Sequence, residues 1–194
     1  MTIKFCTACG SPTELKTPKN DDMLRSVCTN CGQIHYTNPK MVVGCIPELN
    51  HKILMCRRNI EPRKGLWTLP AGYLENNESV QDGAARETLE ETRSKVTIIA
   101  PYRLFNLVFV NQMYFMFRAA LVSEDFGPTS ESSDVCLMDE KDIPWDEIAF
   151  KVIFQTLKDY FKDRKQEDFP FKVKDIKGFL PVQGTSDQGT RSIQ

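Results

Sequence analysis

The chain has 194 residues, of which 41% are apolar, and its 25 basic and 26 acidic residues give a formal net charge of -1. This composition predicts a packed globular domain with room for a small second module. The near balance of charge argues against a dedicated nucleic-acid or membrane-surface binder, so an anionic ligand would need local charge or a metal. No stretch approaches the roughly 20 apolar residues that span a bilayer. The first residues show no signal or transit segment, so we expect a cytoplasmic protein.

Two Cys-x-x-Cys pairs lie near the N-terminus, Cys6 with Cys9 and Cys28 with Cys31, and a glycine follows each pair. This spacing is typical of a structural zinc site, in which two tight turns bring four thiolates into a tetrahedron. The alternatives are an iron–sulfur centre, two disulfides and a redox Cys-x-x-Cys, although the thioredoxin-like unit that usually surrounds a redox pair is missing. Four thiolates leave zinc no open position, so we expect a structural Zn²⁺ in a ribbon formed by residues 1–39.

The rest of the chain alternates between strand-like and helix-like patterns. Apolar and β-branched runs predict strands at residues 41–47, 53–56, 96–99, 102–110, 113–122 and 135–138. Residues 79–92, with Ser79 as a possible N-cap, and residues 145–165 have helical character. The other three cysteines, Cys45, Cys56 and Cys136, stand in apolar runs, where we expect small buried side chains. Residues 166–194 form a C-terminal extension that we expect to be largely disordered after about residue 181.

The helix predicted at residues 79–92 carries three carboxylates on one stripe. At about 100° per residue, Glu87, Glu90 and Glu91 fall within an arc of roughly 100°. Such an oxygen-rich cluster suits a hard cation, Mg²⁺ or Mn²⁺. The alternative is a solvated acidic face, which is the commoner fate of glutamate runs. The small residues on another face of this helix and the glycine-containing loop before it favour the metal site.

The same segment resembles the signature of the Nudix hydrolases, G-x5-E-x7-R-E-U-x-E-E-x-G-U, where U is a bulky aliphatic residue. The six positions in register are Gly72, Glu78, Arg86, Glu87, Glu90 and Glu91. The resemblance covers about residues 40–165 and implies an α/β fold, an α/β/α sandwich with a mixed sheet. Thr88 and Ser94 replace the two aliphatic residues. Arg93 replaces the glycine that ends the helix, so we expect an altered C-cap at the end of the helix.

The resemblance also implies roles for these residues. Glu87 and Glu91 would be the principal Mg²⁺ or Mn²⁺ ligands, helped by the backbone carbonyl of Gly72, and Glu90 would bind directly or through water. Arg86 would fix the loop by reaching back to Glu78. The general base varies within the family, so it stays open between Glu87, Glu90 and the loop residue Glu131.

Candidates for substrate contacts come from the residue pattern alone. Arg57 and Arg58 end a strand near the expected site and can hold a phosphate, although solvated arginines are equally common at strand ends. Tyr73, Phe105 and Tyr114 can stack on a flat ring, with core packing as the alternative.

The combination of a zinc ribbon and this box makes the chain similar to a group of small Nudix enzymes, which includes FAD and ADP-ribose pyrophosphatases. The NADH pyrophosphatases carry a further Ser-Gln-Pro-Trp-Pro-Phe-Pro motif after the box, which this sequence lacks. We therefore expect cleavage of the diphosphate of FAD or ADP-ribose. The alternatives are an NADH pyrophosphatase and a non-catalytic nucleotide sensor or nucleic-acid adaptor. The expected partner is a small nucleotide, without nucleic acid or membrane, and a homodimer stays open.

Overall fold

The structure, a computed structural model, describes residues 2–178 and separates into two compact units between Pro39 and Lys40. The tail beyond residue 181, for which we expected disorder, lies outside the described residues. No helix within the described part of the chain is long and apolar enough to cross a membrane.

The first unit is a small antiparallel sheet of three strands, β1 (Thr13–Lys16), β2 (Arg25–Cys28) and β3 (Ile34–His35), in the order β1-β2-β3. Each Cys-x-x-Cys pair forms a tight turn, and the glycine after it takes a left-handed conformation, with φ of 72° at Gly10 and 74° at Gly32. A side chain would strain the backbone at both positions, so the glycines allow the turns to close.

The second unit contains a mixed sheet and two helices. Its strands are β4 (Lys40–Leu49), β5 (Lys52–Arg58), β6 (Trp67–Thr68), β7 (Ala71–Tyr73), β8 (Val96–Leu107), β9 (Gln112–Leu121), β10 (Ser132–Met138) and β11 (Lys172–Asp175). The helices are α1 (Val80–Thr92) and α2 (Lys151–Arg164). The sheet runs β10-β5-β4-β9-β8-β11, with β6 beside β5 and β7 beside β4. The pairs β4–β9 and β8–β11 are parallel, and the others are antiparallel.

The two helices pack on opposite faces of this sheet. Along a strand, successive side chains point to alternate faces. Val43 and Cys45 of β4 share a cluster with Ala84 of α1, whereas Ile46 shares the larger cluster with Leu157 of α2. The expected α/β/α sandwich with a mixed sheet is confirmed.

Three elements differ from the sequence-based expectation. The second helix begins at Lys151 rather than near Trp145. Residues Trp145–Glu147 form a separate 3-10 turn, and the chain is then extended up to Phe150, where Ala149 N donates to Trp67 O at 2.8 Å. The two strands expected within residues 96–110 form one strand, β8, with register shifts on both sides of Pro101. Residues Val108–Val110, expected in the second strand, form a 3-10 turn after β8.

The third difference concerns the segment after residue 165, which we expected to lie outside the domain. Its residues 172–175 form β11, an edge strand of the main sheet. The segment is short and rich in lysine, so that its sequence carries no strand periodicity, and its pairing depends on tertiary contacts.

Candidate active site

Helix α1 is fixed at both ends by local hydrogen bonds. Ser79 is the N-cap, and its hydroxyl accepts from Asp82 N at 3.1 Å, which satisfies one of the free N–H groups of the first turn. Arg93 ends the helix with φ of 63°, and its N–H donates to Leu89 O at 2.8 Å. The turn that a glycine normally makes therefore forms with arginine, although a left-handed non-glycine residue costs about 1–2 kcal/mol.

Arg86 joins the loop before α1 to the acidic stripe of the helix. Its guanidinium donates to both carboxylate oxygens of Glu78, at 2.7 and 3.0 Å, and to Glu87 at 2.8 Å and Glu90 at 2.9 Å. It also donates to the carbonyl of Tyr73 at 3.1 Å. The bidentate pair holds the pKa of Glu78 down at about 2, so that this carboxylate is ionised at neutral pH.

The carboxylates of Glu87 and Glu91 lie under the strand-to-loop segment that precedes α1. A Cβ built on Gly72 would overlap the Glu87 carboxylate, so this close approach requires a glycine. Glu91 Oε2 accepts from Ala71 N at 3.1 Å and lies 3.7 Å from the thiol of Cys56. The residues Ala71 and Gly72 of β7 and helix α1 thus bring the carboxylates of Glu87 and Glu91 close together.

Burial makes the charged forms of these two carboxylates unfavourable. Burial, together with the nearby Glu87 and Glu131 carboxylates, raises the pKa of Glu91 to about 8 against opposing contributions from Ala71 N and Arg58. Burial also raises the pKa of Glu87, although Arg86 opposes this shift. A buried carboxylate with a raised pKa is stabilised in its charged form by a cation. The donor set, which consists of carboxylate oxygens and the backbone carbonyl of Gly72, fits Mg²⁺ or Mn²⁺.

The four cysteines of the first unit form a second candidate metal centre. Their sulfurs lie within 4.8 Å of one another, with Cys9 Sγ 3.5 Å from the sulfurs of both Cys28 and Cys31. Tetrahedral zinc with Zn–S bonds of about 2.3 Å would place its sulfurs about 3.8 Å apart, so the cluster fits this ion. Hydrogen bonds from Ser11 lower the pKa of Cys9 to about 6, whereas the Cys9 and Cys28 thiols raise that of Cys31 to about 12 against a hydrogen bond from Gln33 N. Four thiolates this close together therefore need a cation such as zinc between them.

The acidic stripe opens into a cavity of about 670 Å³. The residues expected at the site that line this cavity are Arg58, Gly72, Tyr73, Arg86, Glu87, Glu90, Glu91, Tyr114 and Glu131. Glu78 supports Arg86 from outside the lining. Phe105 is fully buried in the core and cannot contact a ligand. Arg57 is also outside the lining, because neighbouring residues on β5 point to opposite faces, and its Nε donates to Gly65 O at 2.7 Å.

The family model described as NUDIX domain matches residues 38–157. The chain belongs to the Nudix family. The model described as Nudix N-terminal, a zinc ribbon, matches residues 4–37, which confirms the expected ribbon and its structural zinc. A NUDIX hydrolase from Nitrosomonas europaea is 46% identical and superposes with a TM-score of 0.87, over 90% of this chain and 99% of that one.

The curated relatives of this Nudix chain include the NAD-capped RNA hydrolase NudC of Vibrio cholerae, which is 30% identical over 168 residues. The match covers 84% of this chain and 61% of that protein, so the chain spans about three fifths of the relative's length. An ADP-ribose pyrophosphatase from Streptococcus suis shares the fold, with a TM-score of 0.58 over 72% of this chain and all of that one, at 19% identity.

The cavity of this Nudix unit also contains residues that sequence reasoning missed. Phe150 and Lys151, where α2 begins, line it, as does Ile176 just after β11. The ring of Phe150 lies 5.1 Å from the Arg58 guanidinium. The helix predicted at residues 145–165 contains the first two residues, but its pattern did not indicate that they face a cavity. No signal indicated Ile176, because it follows a strand that its sequence does not predict.

Proposed function

We propose that this chain hydrolyses the diphosphate linkage of a nucleotide with the help of Mg²⁺ or Mn²⁺. The observation that carries the proposal is the pair of buried carboxylates, Glu87 and Glu91, held beside Gly72 at the wall of a large cavity. Structural ion pairs are normally balanced in charge, whereas this pair has more negative charge than Arg86 neutralises. A divalent cation together with a diphosphate would complete the balance.

The proposed roles follow from the geometry. A divalent cation at this stripe would offset the phosphate charge and stabilise the leaving phosphate. Glu87 and Glu91 would hold it, together with the Gly72 carbonyl and, directly or through water, Glu90. Arg86 keeps the carboxylates of Glu87 and Glu90 in place through its hydrogen bonds.

The attacking water needs a base within reach. Glu87, Glu90 and Glu131 remain the candidates, and all three line the cavity. Glu131 is close enough to raise the pKa values of Glu87 and Glu91, so that its carboxylate faces the same space. Arg58 lines the cavity as well and is the proposed contact for a substrate phosphate.

For the substrate, we propose an adenine-containing dinucleotide with a diphosphate bridge, FAD or ADP-ribose. The cavity volume lies within the range of about 300–1,000 Å³ typical of small-molecule sites. Aromatic and apolar side chains form the walls away from the acidic stripe; among them are Val42, Ile60, Tyr73, Tyr114, Phe150 and Ile176. A diphosphate would meet the metal, and the two flanking groups would supply binding energy for orientation.

A second candidate is hydrolysis of NADH or of an NAD cap on RNA. It is supported by the 30% identity to the NAD-capped RNA hydrolase NudC over 84% of this chain. On this reading a nucleic acid becomes a partner, which the net charge of the chain did not suggest. The chain lacks the Ser-Gln-Pro-Trp-Pro-Phe-Pro motif of the NADH enzymes, which is why we keep this candidate second.

The test is a side-by-side measurement of kcat/KM for FAD, ADP-ribose, NADH, an NAD-capped RNA and a nucleoside triphosphate, each with Mg²⁺ and with Mn²⁺. We expect FAD or ADP-ribose to be best, and the triphosphate to be poor because it lacks the second flanking group. A preference of about tenfold for NADH or capped RNA, about 1.4 kcal/mol of transition-state stabilisation, would establish the second candidate. Binding without metal-dependent hydrolysis of any of them would indicate a non-catalytic sensor.

A further inference from the structure

One wall of the active-site cavity comes from the segment after α2. Strand β11 pairs in parallel with β8, and the chain continues in the same direction, so that Ile176 N donates to Asn106 O at 2.9 Å. Ile176 is 6% exposed, belongs to the core cluster that includes α2, and lines the cavity. An apolar side chain in this position suits the ring or sugar of a nucleoside rather than its phosphates.

Backbone hydrogen bonds to β8 are not enough to fix the position of β11, which leads into this wall. Strand β11 has four residues and lies at the edge of the sheet, where one neighbour pairs with it. Parallel pairs are slightly less stable per residue than antiparallel pairs, and so short a strand makes few hydrogen bonds. Side-chain contacts must therefore decide where β11 sits along β8.

The strongest side-chain contact of β11 is an ion pair with α2. Lys174 Nζ donates to Asp159 Oδ2 at 2.6 Å, and the same carboxylate oxygen accepts from Arg103 Nε at 3.1 Å. Arg103, which is 1% exposed, also donates to Asp163 and to the carbonyl of Pro170, just before β11. Arg103, Asp159 and Asp163 are buried in this network, and the Lys174 side chain is 35% exposed. A shift of β11 would remove the Lys174 contact from Asp159 and leave Arg103 as the one cation facing both carboxylates.

Lys174 and Ile176 lie on the same face of the segment, because side chains two residues apart in an extended chain point the same way. A shift of β11 by one residue would turn both side chains to the other face of the sheet. The pairing that places Lys174 on Asp159 therefore also places Ile176 in the cavity. A further contact holds the end of the segment, where Lys151 Nζ donates to Lys177 O at 2.7 Å.

We propose that the Lys174–Asp159 ion pair is a positioning device that sets the register of β11, and that Ile176 is a specificity-determining contact for the nucleoside part of the substrate. This inference rests on the proposed function, since it assigns one wall of the same cavity. The acidic stripe lies on α1, away from β11 in sequence, so loss of the ion pair changes substrate binding and leaves the hydrolytic step in place.

The test compares Lys174→Met with Lys172→Met, the same substitution on the same strand at an exposed lysine. We expect Lys174→Met to raise KM for ADP-ribose about fivefold, with kcat within about twofold, because the wall is in place only part of the time. Lys172→Met should leave both constants within about twofold, since it breaks no ion pair that sets the register. Ile176→Val, which removes one methylene without disturbing the network, should raise KM about threefold.

Two further measurements separate the possible failures. Hydrogen exchange at the Ile176 amide should be faster in Lys174→Met than in Lys172→Met, and calorimetry in EDTA should show weaker ADP-ribose binding to the first variant.

Equal KM values in the two lysine variants, or unchanged exchange at Ile176, would overturn the inference while the proposed function stood. A wild-type chain that binds ADP-ribose but hydrolyses nothing would overturn the proposed function, and the binding comparison would still decide the role of the wall. Absence of both binding and hydrolysis would overturn both.

Discussion

Two arginines organise the carboxylates of the second unit, and they do so at different depths. The Arg103 side chain is 1% exposed and lies between Asp159 and Asp163. The Arg86 side chain is 29% exposed and meets three glutamates at the mouth of the cavity. Both guanidiniums join separate elements through several charge-assisted hydrogen bonds, so the type of contact alone does not distinguish a structural cluster from a functional one.

The balance of charge does distinguish them. In the buried cluster, Arg103 and Lys174 face two aspartates, so the charges cancel. In the open cluster, Arg86 faces Glu78, Glu87 and Glu90, and Glu91 stands beside them on the same helix with a pKa raised to about 8 by burial. A balanced cluster is complete without a ligand, whereas a cluster with surplus negative charge is completed by a cation.

The largest expected effect is on turnover, and it should come from removing a carboxylate of the acidic stripe. We expect Glu87→Gln and Glu91→Gln each to lower kcat by about 10,000-fold, because the metal supplies most of the charge stabilisation in this chemistry. Neither variant should lower the melting temperature measured in EDTA, since amide replaces carboxylate without loss of volume. Glu124→Gln, at an exposed loop residue, is the control and should keep the wild-type rate. A rate near wild type in either active-site variant would refute the proposed metal site.

The next largest effect is a difference in the free energy of unfolding between variants of the two arginines. Arg103→Leu leaves Asp163 buried without a cation and leaves Asp159 with Lys174 alone, so it should lower the free energy of unfolding by about 3–5 kcal/mol. Arg86→Leu should lower it by less, about 1–2 kcal/mol, because the Arg86 side chain is partly exposed and Glu90 can turn to water. Urea denaturation of both variants, followed by tryptophan fluorescence, measures the difference.

The same two variants, Arg86→Leu and Arg103→Leu, should show the opposite order in turnover, with the larger loss of kcat in Arg86→Leu. Folded Arg86→Leu should lose about a hundredfold in kcat, since Glu87 and Glu90 are no longer oriented. Folded Arg103→Leu at low temperature should keep kcat within about tenfold and lose mainly affinity. If the two variants lost equal stability and equal turnover, charge balance would not distinguish their roles.

The sequence indicated the open cluster and not the buried one. Glu78, Arg86 and Glu91 stand at fixed offsets around one loop and one helix, so a local pattern is enough to find them. Arg103 and Asp159 are 56 residues apart, and each is an ordinary charged residue in its own segment. Their pairing exists only after β8 and α2 have packed together, so no local pattern could reveal it.

The same reason explains where the cavity was incompletely predicted. Ile176 enters it because β11 pairs with β8, and Phe150 enters it because the chain before α2 stays extended beside Trp67. Arg57 was expected at the cavity and lies outside its lining, because the exact end of β5 sets which of two adjacent arginines faces inward. Strand ends and edge strands depend on tertiary contacts, which a local pattern records poorly.

The smallest effect on the cavity should come from the zinc ribbon, the third cluster of charged groups. One equivalent of zinc per chain should be found by elemental analysis, and Cys9→Ser should abolish it, since Cys9 Sγ lies 3.5 Å from two of the other sulfurs. Without zinc, residues 2–39 should lose protection from hydrogen exchange, because so small a unit buries little apolar surface. The residues that line the cavity lie between Val42 and Gly178, so kcat should stay within about twofold of the wild type.

Cys136→Ser, outside the cluster, is the control and should keep both zinc and protection. A native protein without zinc and with four freely reactive thiols would exclude the zinc site, and a drop in kcat of more than about tenfold in Cys9→Ser would show that the ribbon contributes to the active site.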